Sequence, residues 1–252
     1  MTNNFLKIIS IIFFFIFFPF FAIASDYQAL EKKINETSLS MEFNKMKELE
    51  KEMKELLKNN PSDFMANFYL GKLYFSISEY FELNSEGEKG KNWDNSEKYI
   101  DTALIYFDSS IKFNEKYFDS HFYKYLSLLY KMRHFSGWNF TSMISVGKSV
   151  SQEKNIMLTL GKDNPKRYLA EGVGMLFKPE FRGGGPLKAR PVIEQAIKLD
   201  PSYDEAYFWL AKTYIFKDLK NKEPEKAKEN FKKALQLSPN NNKYKIEIAR
   251  IH

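Results

Sequence analysis

The sequence contains no cysteine. That excludes disulfides, thiolate metal sites and lipid attachment through the N-terminal cysteine of a processed chain. Histidine is scarce, and His121, His134 and His252 show neither metal-ligand spacing nor a His-Glu-x-x-His run. Gly147-Lys148-Ser149 has the form of the end of a phosphate loop, but Ser142 stands where the upstream glycine belongs and no strand precedes it. Gly172-Val173-Gly174 fails as a dinucleotide fingerprint because Phe177 replaces the third glycine. Serines are many, yet none lies in an elbow motif. The expectation is a chain with no catalytic residues, no metal and no cofactor. Strand-like alternation is absent over any useful length. A dense basic stripe is missing too: the net charge of +6 is spread along the chain, so nucleic acid is not an expected partner.

What is present is a folded-protein composition with an aromatic excess. Hydrophobic residues make up 44% and charged residues 28%, both ordinary, while aromatics reach 17% through 24 Phe and 15 Tyr. Lys7 precedes a largely apolar block from Ile8 to Phe21, and Ala22-Ile23-Ala24 offers small residues before Ser25. This is the order of a secretory signal, and the block is shorter than the roughly 18–20 residues of a membrane span. Residues 1–24 are therefore expected to be a cleavable signal peptide, leaving an exported chain that is periplasmic or extracellular.

The rest is organised around Ala189 to Pro239. Ala189, Ile193, Ala196 and Pro201 share their spacing with Ala227, Phe231, Ala234 and Pro239, and Tyr207, Leu210, Ala211 and Tyr214 lie on one helical face between them. Small residues belong where two helix backbones approach, and large ones fill the gaps beside them. Pro201 and Pro239 stop their helices because proline cannot donate to the preceding turn. This pattern resembles the tetratricopeptide repeat (TPR) family. The resemblance implies an all-α, right-handed superhelix of stacked antiparallel helix pairs, since one pair cannot bury its own apolar face.

The same pattern is predicted to recur. Residues 25–61 read as a degenerate helical hairpin with a turn at Thr37 to Ser40. Residues 62–239 read as repeats with lengthened internal loops, and 240–252 as a terminal helix shielding the last face. First helices are expected at Asn67, Leu70, Gly71 and Tyr74; at Tyr123, Leu126, Ser127 and Tyr130; and at Ala170, Val173, Gly174 and Phe177. Their second helices carry Ala103, Phe107 and Ser110, the poorly kept Glu153, Met157 and Leu160, and Ala189, Ile193 and Ala196.

The resemblance further implies a partner lying along first helices on the concave face. Counting along those helices predicts a groove built from Met65, Phe68, Lys72 and Phe75; His121, Lys124, Leu128 and Lys131; Tyr168, Glu171, Met175 and Lys178; and Glu205, Phe208, Lys212, Ile215 and Phe216. Lysines there could hold carboxylates while aromatics give area. The long loops form a second candidate, a rim of Trp93, Phe135, Trp138, Phe140, Phe181 and Arg182, against the simpler reading of a minor core. The expected function is a non-catalytic adaptor or scaffold of the cell envelope that binds a protein or peptide. The alternative is a periplasmic carrier of a small apolar or amphipathic solute. Contact with a membrane would come only through an uncleaved signal or a membrane-bound partner. Mass spectrometry of the exported protein is expected to give a chain beginning at Ser25; an intact Met1 terminus would refute cleavage.

Overall fold

The computed structural model describes residues 27–85, 89–135, 140–217 and 219–251. The signal segment, Trp138 and His252 lie outside the described residues. Among those described there is no strand. Within the same residues eleven helices follow one another: α1 (27–40), α2 (Phe43–Asn59), α3 (Phe64–Leu83), α4 (Gly90–Phe113), α5 (Phe118–His134), α6 (Phe140–Leu160), α7 (Pro165–Phe177), α8 (Pro186–Leu199), α9 (Asp204–Tyr214), α10 (Pro224–Leu237) and α11 (Asn242–Ala249). Local chemistry starts several of them. Asp63 Oδ1 accepts from the Ala66 amide at 3.0 Å, and Asn164 and Asn241 cap α7 and α11 in the same manner. Pro165, Pro186 and Pro224 occupy first turns, where a missing N–H costs nothing. The turn expected at Thr37 to Ser40 is instead helical; the chain reverses at Met41, whose φ is +52°.

The helices pack as antiparallel pairs, α3 on α4, α5 on α6, α7 on α8 and α9 on α10, and the first helices α3, α5, α7 and α9 also touch in succession. Outside α5–α6, the seams set a small residue against a large one. A Cβ on Gly71 would strike the Phe107 ring at 2.7 Å, and Gly172 leaves equivalent room for Ile193. Phe107, Ile193 and Phe231 are fully buried, as are Ala103, Ala189, Ala196, Ala227 and Ala234 beside them.

This packing corrects the predicted register of two helices. Gly71, Tyr125, Gly172 and Ala211 are each the eighth residue of their helix. The close-approach positions of α5 and α7 are thus Tyr125 and Gly172, not Ser127 and Gly174, so the sequence count ran two residues late there. The cause is visible in α5: a tyrosine replaces the small residue, and no local signal distinguishes the true slot from the nearby serine. Its consequence is also visible, since α6 packs mainly on α5 and touches α7 only lightly, whereas α4 packs firmly on α5 and α8 on α9.

The terminal helix does more than shield the last pair. α11 packs on α10, and Tyr244 stacks on Phe208 of α9 at 5.1 Å. It also reaches the first pairs: Asn242 donates to the Ser40 carbonyl at 2.8 Å, Lys243 to Glu79 at 2.7 Å, and Arg250 to the Leu83 carbonyl. The stack therefore curls far enough for its last helix to bridge α3 and α9. No helix among the described residues is long and apolar enough to cross a membrane. Phe231→Ala is expected to cost about 3–5 kcal/mol in a denaturation curve, because the ring is fully enclosed between α9 and α10; an unchanged curve would show that the seam does not carry that packing.

Candidate functional site

Where α6 stands off α7, the structure opens a cavity of about 1110 Å³. One wall is α6, through Met143, Gly147, Val150, Ser151 and Lys154, and the facing wall is the end of α7. Tyr125 helps to make the gap: its hydroxyl lies against Gly174, in space that a Cβ there would fill. The α7–α8 connection forms the lip. Gly183 and Gly185 take φ of +80° and +95°, a left-handed backbone that side chains disfavour, and let the chain fold back so that the Gly185 amide donates to the Met175 carbonyl at 2.8 Å. That turn holds Lys178, Phe181 and Arg182 at the opening, and Phe181 is 84% exposed.

The interior is aromatic. Phe177 meets Trp209 edge-on at 5.8 Å and Phe216 at 6.1 Å, while Tyr130 contacts both Phe177 and Trp209 at 6.4 Å. Arg133 lies over Trp93, Tyr130 and Phe177, all within 5.4 Å. Four lining carboxylates are paired: Glu82 with Arg133 at 2.9 Å, Glu171 with Lys154 at 3.0 Å, Glu247 with Lys212 at 2.9 Å and Glu79 with Lys243 at 2.7 Å. Burial opposes the Lys243 charge, but Glu79 and Glu205 outweigh it and raise its pKa. Burial also raises that of Glu205, with Glu79 and Asp204 adding to it against Lys243. Glu205 retains some exposed surface but is ringed by the walls of the superhelix, so water screens it poorly.

The predicted site residues divide by location. Lys178, Phe208, Lys212 and Phe216 from the groove join Trp93, Phe181 and Arg182 from the rim in the wall of this one cavity. Met65, Phe68, Lys72 and Phe75 lie farther along α3. There Phe68 and Phe75 pack on Tyr123, and Lys72 donates to Asn35 at 2.7 Å beneath the Tyr123 ring. Burial, and then Lys166, lower the Lys72 pKa.

His121, Lys124 and Lys131 do not project into the groove. His121 and Lys124 bind Glu153 of α6, Lys124 also binds Asp108, and Lys131 binds Asp101 of α4. They occupy the back of α5 because of the register error, which leaves Leu126 and Val173 at the positions equivalent to Lys72 and Lys212. Of the lysines expected along the groove, Lys178 and Lys212 lie in the cavity wall and Lys72 farther along α3, whereas Lys124 and Lys131 do not face it. Tyr168 is stacked by Arg167 at 4.7 Å.

The rim gathers only in part. Trp93 is buried and stacks on His134 at 3.9 Å, as the minor-core reading held, whereas Phe140 is 63% exposed and lies outside the cavity wall, as does Phe135. Sequence reasoning missed Arg133, Trp209, Lys243 and Arg250. Among the described residues no group of side chains could hold a metal ion.

Comparison with known proteins fits this geometry. Residues 192–229, from α8 through α9 into α10, match the family model described as tetratricopeptide repeat. A solved thermophilic TPR protein from Thermus thermophilus superposes with a TM-score of 0.58 at 14% identity, over 86% of this chain and 97% of that one. The fold is that of a tetratricopeptide-repeat protein. A second solved structure, a MamA RS-1 ArsTM double mutant, is 15% identical over 84% of this chain and 94% of the other, with a TM-score of 0.41. No curated protein matches the chain. Within the TPR stack, α5–α6 is the pair whose small-residue pattern is broken, and the cavity lies beside it.

The back of α5 supplies a pH test. His121 Nδ1 lies 2.7 Å from Glu153 and Nε2 lies 2.9 Å from the Glu115 carbonyl, so both ring nitrogens face acceptors. Burial favours the neutral ring, but Glu153 and the carbonyl outweigh it and raise the His121 pKa. A raised folded-state value gives stability that is complete below the unfolded pKa of about 6.5 and is lost as pH rises through the folded value. His121→Gln is expected to cost about 1.5–3 kcal/mol at low pH, with the gap from wild type narrowing as pH rises. Urea unfolding at pH 6 and pH 8.5 measures it; a gap that widens with pH would contradict the assignment.

Proposed function

We propose that this TPR protein is a non-catalytic binding scaffold of the cell envelope, which receives a segment of a protein or peptide partner in the seam between α6 and α7. One observation carries the reading: the repeat stack is continuous except at this seam, where an aromatic-walled cavity takes the place of helix–helix packing. A stacked repeat exposes apolar surface wherever its neighbour is missing, and an inserted segment would supply the absent contacts. The α6 side strengthens it. Phe140 and Ile144 are 63% and 69% exposed one turn apart, and only Lys148, Glu153 and Lys154 are charged along the helix. Export and an envelope location rest on the N-terminal sequence.

A second reading, a carrier of a small apolar or amphipathic solute, is favoured by α11. That helix bridges α3 and α9 across the concave side and contributes Glu247, with Arg250 just beyond its end, to the cavity wall. The predicted open groove is therefore partly filled by the chain itself, and the volume lies near the upper end of those typical of small-ligand pockets.

Gly147 gives a test of the seam that spares the fold. A Cβ there would meet nothing within 4 Å, so Gly147→Trp should project into the cavity without a clash. A photo-crosslinker at Val150 is expected to capture one defined partner in the native envelope. Gly147→Trp should reduce that yield at least about tenfold with no loss of thermal stability, since glycine is itself unfavourable inside a helix. Undiminished crosslinking would exclude the seam. Native mass spectrometry showing a retained small molecule in place of a protein adduct would select the carrier.

A further inference from the structure

The charges around the cavity are unevenly matched. Among the described residues its wall carries eight cationic side chains and five carboxylates. Four of those carboxylates are held in the ion pairs described above, which leaves Glu180 as the remaining lining acid. The excess of positive charge lies at the opening. Lys178 and Arg182 are solvent-exposed residues of the α7–α8 connection. Behind them the wall is aromatic, with the Trp209 indole buried in it.

From this we infer that the cavity selects an apolar group that carries a carboxylate, body inward against the aromatic wall and charge outward among the lip cations. The inference rests on the cavity being a ligand site and adds the chemistry of what enters. A neutral apolar molecule would leave like charges crowded at the opening, and a cationic one would add to that repulsion. An anion relieves it by bringing opposite charge to the lip. The same chemistry could come from a free amphipathic acid or from an acidic side chain within an apolar peptide segment.

The full chain distinguishes these cases with defined probes. Decanoate, decanol and decyltrimethylammonium are titrated while tryptophan fluorescence is followed, since Trp93 and Trp209 line the cavity. In parallel, an apolar decapeptide with a central Glu is compared with its Gln counterpart. In at least one arm the acid is expected to bind about tenfold or more tightly than its neutral analogue, and that arm identifies the source.

Lys178→Glu combined with Arg182→Glu should abolish the preference while leaving decanol binding and the melting temperature unchanged, because both side chains are exposed. Lys188→Glu, an exposed charge outside the wall, should change nothing. Equal binding of acid and neutral analogue in both arms, or a preference that survives the double reversal, overturns the anion selectivity while the cavity remains a ligand site. Failure of every probe to bind overturns both.

Discussion

The structure depends on one contact repeated along the chain: a residue with little or no side chain on a first helix, faced by a large residue on its partner. Gly71 takes Phe107, Gly172 takes Ile193, and Ala211 stands in the equivalent place opposite the helix of Phe231. Dispersion falls off steeply with separation, so backbones brought this close gain contacts that a looser seam forfeits. Where the small residue is absent the consequence is structural. Tyr125 holds that position in α5, α6 is barely joined to α7, and a cavity of about 1110 Å³ opens beside them.

A departure from the repeat pattern is thus tied to the site rather than scattered by chance. The α5–α6 pair gives up some packing between neighbours, and polar contacts behind α5 compensate. Glu153, at a position where the pattern places a small residue, accepts from both His121 and Lys124 while buried. A buried carboxylate is tolerable only with such partners. His121 and Lys124, which the helix count offered as binding residues, are the ones that anchor the displaced helix.

Curvature adds the second element. The stack curls back so that α11 spans its concave side, giving Lys243 to Glu79 of α3 and Tyr244 to Phe208 of α9. An open trough becomes a partly closed chamber. Its lip is shaped by two glycines in the left-handed region, Gly183 and Gly185, which direct Lys178 and Arg182 to the opening.

How much of this was legible in the chain varies with the range of the signal. Helix positions, their proline stops and starts, and the stacked-pair architecture are written in spacing, because a helix repeats every 3.6 residues and local chemistry ends it. Within α9 the inward residues were also readable, since the Tyr207 to Tyr214 pattern is intact. In α5 and α7 a two-residue error turned Lys124 and Lys131 the wrong way, for a helix rotates about 200° over two residues. The amino-acid order alone settled that this is a stack of paired helices. Only the folded chain decided which faces meet, where a seam fails to close and that the terminal helix reaches the first pairs. Those outcomes depend on contacts between residues as far apart as Ser40 and Asn242, and no local periodicity encodes such a contact.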